Sequence, residues 1–138
     1  MIAQDVVLEP ISSREEIIEY WPLLKNSRIV KLYGIDQLLY DVGGVLTGIH
    51  IALKGTIGGK LRLIVIFETQ VYGNKQLCAT IKQIWGPGSI RHFKDLFYAK
   101  LKEWGYSKVG GGSAKDTDRA FCKLLGLERK FTYFEKEV

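Results

Sequence analysis

The sequence predicts a mixed α/β (α+β) domain built on a central sheet, and three observations carry that reading. Apolar residues recur at every second position through the middle of the chain. They recur at helical spacing before and after it, a switch of period that all-β and all-α chains do not need. The chain of 138 residues is 46% hydrophobic and 25% charged, the composition of one globular domain rather than of a tail or linker. A chain of this length removes about 70% of its extended surface from water on folding, so one core forms without disulfides or a structural metal. No repeat, low-complexity stretch or Pro/Ser-rich linker divides the chain, and Pro10, Pro22 and Pro87 are scattered; residues 1–138 are read as one domain.

Taken in order, Val6-Val7-Leu8 is a short apolar strand ended by Pro10. Ser12-Ser13-Arg14-Glu15 then supplies a capping box for a helix that would bury Ile17, Ile18, Trp21 and Leu24, with Pro22 placed to shorten or kink it. Ile35, Leu38, Leu39, Val42 and Val45 fall on a second helical stripe, weakened by Gly43-Gly44, where a strand could begin instead. From Gly48 the period becomes two. Ile51 and Leu53 alternate with His50, Ala52 and Lys54, and a Gly58-Gly59 turn leads into Leu61–Tyr72, whose centre Leu63-Ile64-Val65-Ile66-Phe67 is apolar throughout, as a strand buried on both faces would be. Gly73-Asn74-Lys75 turns the chain again. Leu77–Trp85 follows as a further strand, with Leu77, Ala79 and Ile81 alternating against Cys78, Thr80 and Lys82.

Beyond Gly86-Pro87-Gly88 the helical period returns, with Ile90, Phe93, Phe97, Leu101 and Trp104 on one face and Gly105 at the stop position. Ser107–Val109 is a brief strand. Asp116 or Thr117 caps a last helix with Ala120, Phe121, Leu124 and Leu125 inward, Gly126 ends it, and Thr132–Val138 is a final strand. The predicted order is β-α-α-β-β-β-α-β-α-β.

Charge and composition exclude several classes. Cys78 and Cys122 are isolated, and His50 and His92 lie far apart, so the spaced pairs of a zinc finger are absent and no metal site is expected. Asp5 and Glu9 stand where a signal peptide needs an apolar run, and no stretch reaches the ~20 apolar residues of a membrane span. A cytoplasmic protein with reduced thiols and no membrane partner is the expectation. Residues 1–69 carry seven Lys/Arg and eight Asp/Glu, residues 70–138 thirteen and seven. A basic half suits a polyanion or a phosphate-bearing cofactor. Against nucleic acid, it lacks the interleaved aromatics of a base-stacking surface.

The segment Gln83-Ile84-Trp85-Gly86-Pro87-Gly88-Ser89 lies between a strand and the strongest helix. Unpaired N–H groups and the positive end of the helix dipole make such a helix start a place for an anion. The same residues also read as a plain strand-to-helix turn with Pro near the first helical position.

The pattern Gln83-x-x-Gly86-x-Gly88 resembles the Q/R-x-x-G-x-G/A pyrophosphate loop of the GNAT superfamily of acyl-CoA-dependent N-acyltransferases, and it stands where that loop stands, at the end of the fourth strand and opening the third helix. Ala120 to Leu127 resembles the family's fourth helix, which ends before the last strand. The resemblance implies acetyl-CoA (coenzyme A) as donor and an amine, small molecule or protein, as acceptor. The backbone of Ile81, Lys82, Gln83 and Ile84 would pair with the pantetheine arm. The N–H groups of Trp85, Gly86, Gly88, Ser89 and Ile90 would hold the pyrophosphate, with Pro87 subtracting one donor, and Arg91, His92 and Lys94 either add charge near the 3′-phosphate or form a solvated helix face. Oligomeric state stays open, a homodimer included.

Acyl transfer to an amine needs a base for the amine and an acid for the departing thiolate. The family's usual acid, a Tyr four residues before the helix-ending Gly, is Cys122 here; a thiol can donate a proton, and a small buried cysteine is the competing reading. The family's Asn ahead of that helix is absent, the region holding Gly110-Gly111-Gly112-Ser113 and Asp116. Glu68 is the only carboxylate in the central strands and hence the candidate base, against a strand-end carboxylate in water. His50 reads as a strand-face residue. These departures leave a second reading beside the enzyme: a GNAT-like protein, such as the compact ones of tailed bacteriophages, that binds or builds without catalysing.

Overall fold

The computed structural model describes residues 5–111. Strand β1 (Val6–Pro10) turns a single residue, Leu8, into the core. Helix α1 (Arg14–Lys25) is capped by Ser13, one residue later than the pattern suggested, and the Glu16 carboxylate reaches back to the residue before that cap. Ser13 Oγ accepts from the Glu16 N–H at 3.1 Å, and Glu16 Oε1 accepts from the Ser12 N–H at 3.4 Å. Starting at Arg14, the helix places Ile17, Trp21 and Leu24 on one stripe. Ile18, expected in the core, falls beside that stripe and is 61% exposed. Pro22 does not break the helix, because the carbonyl its missing N–H would have served is that of Ile18, on the wet side.

A short helix that periodicity did not reveal, α2 (Arg28–Tyr33), follows, capped by Ser27 Oγ. Its six residues make under two turns, too few to show a period. Helix α3 (Ile35–Leu46) buries Leu38 and Val42, half-buries Val45, and leaves Ile35 and Leu39 exposed. It runs through Gly43-Gly44 without becoming a strand. At Gly44 the reason is packing: a Cβ there would overlap the ring of His50.

The sheet is completed by β2 (His50–Ile57), β3 (Lys60–Val71), β4 (Leu77–Trp85) and β5 (Tyr106–Gly111), in the order β1-β2-β3-β4-β5. The first four strands pair antiparallel, and β5 joins β4 parallel through the crossover helix α4 (Ile90–Glu103), so the sheet is mixed as expected. Helices cover both faces. On one, Phe93, Phe97 and Leu101 of α4 pack with Leu53, Leu63, Val65, Phe67, Ala79 and Ile84. On the other, Ile17, Leu24, Val30, Leu38 and Val42 of α1 to α3 pack with Ala52, Ile64 and Ile66. Leu63 to Phe67 are buried on both sides, which accounts for an apolar run without alternation. No helix among the described residues is long and apolar enough to cross a membrane. The expected last helix and strand, Asp116 to Val138, lie outside the described residues.

Lys54 of β2 ties the α1 cap to the sheet, meeting Glu16 in a short ion pair with Glu9 at 3.7 Å. Its hydrogen bond to Lys54 holds the Glu16 carboxyl below its ordinary value of 4.5, against the opposing effect of desolvation. The pair is therefore fully effective above pH 4.5 and is lost as pH falls through the lowered folded value. Glu16→Gln is expected to cost about 0.5–1 kcal/mol at pH 7 and less near pH 3. Urea melts at both pH values check this, and an equal loss at both would remove the ion pair from the account.

Candidate active site

The strand-to-helix junction is built by its glycines in two different ways. Gly86 adopts φ +74° and ψ 44°, and a Cβ there would run into the carbonyl oxygen of Arg62. No other residue fits without moving β3. Gly88 has open space where its Cβ would be, so what it keeps clear is the surface outside the loop. Pro87–Ser89 form a single 3-10 turn in which the Ser89 N–H donates to Gly86 O at 3.0 Å and the Ile90 N–H to Pro87 O. Two of the expected phosphate donors are thus engaged in the turn. Among the described residues no side chain caps the start of α4.

Beside this loop lies an open depression of about 430 Å³, lined by Ile57, Arg62, Gly86, Gly88, Ser89, Arg91 and His92. Arg91 and His92 are there as the sequence suggested, while Lys94 is not part of the lining. Arg62 was missed. It stands in β3, and only the register Ile64 opposite Trp85 brings it to Gly86. A basic residue at a hairpin end is the one signal that could have flagged it.

Strand β4 is bulged. Ile81 pairs with Phe67 and Gln83 with Ile66, so Lys82 is an extra residue on β4. Lys82 and Gln83 both face the α3 side, and Ile84 returns to the α4 side with Ile81. The spacing of three between Ile81 and Ile84 was the sequence trace of this bulge. Pairing with β5 is described from Leu77 to Ile81, whose partner Gly111 is the last described residue. Of the expected cofactor contacts, Gln83 was to offer its backbone. Its side chain is fully buried, donating from Nε2 to Asp41 Oδ2 at 2.8 Å, and only its backbone is left for a ligand.

Glu68 is not a strand-end carboxylate standing alone in water. Its Oε2 lies 3.4 Å from Lys82 Nζ and 3.9 Å from His50 Nε2, and its side chain is 32% exposed. The bulge puts Lys82 on that face. His50 pairs with Glu68 in register and is buried. Its Nδ1 is 3.1 Å from the Asp41 carbonyl oxygen. That acceptor requires the proton on Nδ1, which turns Nε2 towards Glu68. His50, read from sequence as a strand-face residue, is thus part of a polar group with Glu68 and Lys82. A half-buried carboxylate that keeps contact with water can receive a proton from an amine. Cys122, the candidate acid, lies outside the described residues.

No family profile and no curated protein sequence matches the chain. Solved structures do. The ribosomal-protein-alanine N-acetyltransferase of Brucella melitensis biovar Abortus superposes with a TM-score of 0.69 at 18% identity, covering 99% of both chains. The apo aminoglycoside 6′-N-acetyltransferase of Acinetobacter haemolyticus gives 0.65 at 15% identity over 96% of this chain and 99% of its own. A predicted acetyltransferase of Clostridium acetobutylicum, solved with acetyl-CoA, gives 0.63 at 12% identity over 96% of each. These likenesses span nearly the whole chain and agree with a mixed sheet that passes from a bulged fourth strand through a glycine loop into its crossover helix; the chain has the GNAT fold.

Proposed function

We propose that the protein is an acetyl-CoA-dependent N-acetyltransferase acting on an amine. The observation that carries this reading is the conjunction at the end of β4: strand residues 82 to 85 run directly into a glycine loop and a helix start that no described side chain caps, beside a basic depression. An extended amide-bearing arm fits a strand edge, and a pyrophosphate fits the positive end of a helix. The donor set suits such a ligand, because the depression beside the loop offers Arg62, Arg91 and His92 to phosphate. A structural neighbour solved with CoA and another solved with acetyl-CoA support it.

In this reading Ile81 to Ile84 and the loop from Trp85 to Ile90 hold the donor, and the chain positions the amine near Glu68. The amine nitrogen forms a bond to the thioester carbonyl carbon as the carbon–sulfur bond breaks. Glu68 takes the proton the nitrogen releases, and the thiolate takes one from Cys122 or water. A positioned base contributes about 10²–10⁴ in rate. The second reading, a GNAT-like protein without transfer chemistry, is favoured by one observation: Glu68 is already committed to Lys82 at 3.4 Å.

Acetyl-CoA at 100 times its dissociation constant should stabilise the protein by about 2.7 kcal/mol in a thermal melt. Gly88→Glu should abolish that stabilisation with the unliganded melting temperature nearly unchanged, since a Cβ there meets nothing within 4 Å among the described residues and the side chain brings bulk and negative charge to the ligand side. Unchanged acetyl-CoA affinity in the folded variant would remove the loop from the site.

With a panel of amines, Glu68→Gln should lower turnover by about 10²-fold or more while acetyl-CoA affinity is retained. Cys122→Ala should cost little, because a CoA thiolate can take its proton from water. Equal turnover in Glu68→Gln and the parent would exclude Glu68 as base. Acetyl-CoA binding without transfer to any amine would establish the second reading.

A further inference from the structure

Buried polar groups gather where α3 meets β4. Asp41 and Gln83 are both completely buried. Gln37 Nε2 donates to both Asp41 oxygens at 3.2 Å, Gln83 Nε2 donates to Oδ2 at 2.8 Å, and Gln83 Oε1 has no partner among the described residues. Among the described residues no cation pairs with Asp41. A carboxylate and an amide placed this way do less for stability than two apolar side chains of the same volume would. Stability therefore does not explain why they are there.

Register does. A strand's faces exchange when its pairing slips by one residue. Without the extra residue at Lys82, strict alternation from Ile81 would turn Gln83 into the apolar cluster beneath α4 and Ile84 towards α3. Gln83 reaches the Asp41 carboxylate only in the bulged register, and an amide stranded among Phe67, Phe93 and Phe97 would have no acceptor. The buried pair thus makes the bulged strand the one arrangement that satisfies both groups. The same bulge opens the 82–85 stretch of β4 that leads into the glycine loop.

We infer that Asp41 is a positioning residue: through Gln83 it holds the bulge of β4, and so keeps the 82–85 edge in the shape that receives the extended arm of acetyl-CoA. This rests on the acetyl-CoA reading above. Asp41 touches no reacting atom in it. Its carbonyl also anchors His50 behind Glu68, so one residue of α3 orients both the strand edge and the candidate base.

The test separates position from stability. Asp41→Leu and Gln83→Met each leave a buried polar partner and should lower the melting temperature, whereas the double variant removes both and should regain most of it. Positioning predicts that the double variant still binds acetyl-CoA about tenfold or more weakly, that protection of the 82–86 amides from hydrogen exchange is altered, and that Asp41→Asn, which keeps an acceptor oxygen, retains near-parental affinity. A double variant with parental stability, affinity and exchange would overturn the inference. If the parent protein binds no acetyl-CoA, the proposed function fails by itself, and the exchange pattern still decides: altered protection supports a bulge held by Asp41, unchanged protection refutes it. Should the double variant not fold, Gln83→Met is read the same way, since it removes the amide at nearly constant volume and leaves Asp41 with Gln37.

Discussion

Leu63, Ile64, Val65, Ile66 and Phe67 lose almost all contact with water on both faces of β3, and the remainder of the structure is arranged to make that possible. Each such side chain contributes roughly 1.5–3 kcal/mol when fully buried, so the strand demands an apolar cover above and below. The α4 helix supplies one cover with Phe93, Phe97 and Leu101; the three helices ahead of the sheet supply the other. Close approach is part of the same demand. A Cβ on Gly55 of β2 would stand 2.7 Å from the Phe93 ring, so a bare backbone there lets α4 lie flat on the sheet.

The buried run also decides where polar chemistry can sit. Glu68 is the first residue of β3 beyond it, and it meets His50 from β2 and Lys82 from β4 at the margin of the core, where a carboxylate retains contact with water. At the other end of the run, Arg62 is the last residue before it and stands beside Gly86. The two ends of one apolar segment thereby mark the candidate base and the basic depression. That separation follows from strand geometry, since side chains on β3 advance about 3.3 Å per residue.

The basic character of the second half of the chain is only part of the electrostatics at the loop. Arg91 and His92 come from that half, but Arg62 comes from the half whose basic and acidic residues nearly balance. Local convergence of charge beside the loop is set by register and not by average composition. The apolar bulk around the site and the polar pair beneath it act at different levels: the first makes the sheet, while Asp41 and Gln83 select one register of its fourth strand.

By itself the sequence determined the mixed sheet, its three central strands, the α4 face of Phe93, Phe97 and Leu101, and the glycine loop, because each rests on a repeat or a turn local enough to read along one segment. The exposed Ile18, the short α2 and the one-residue displacement of the α1 cap were decided by packing against neighbours, which local periodicity does not contain. The site divided in the same way. Gly86 and Gly88 announce themselves as a turn before a helix; the bulge at Lys82 and the meetings of Asp41 with Gln83 and of Arg62 with Gly86 join segments far apart in sequence. Such meetings exist only once strand register has brought the segments together, and register is a property of paired strands, never of one.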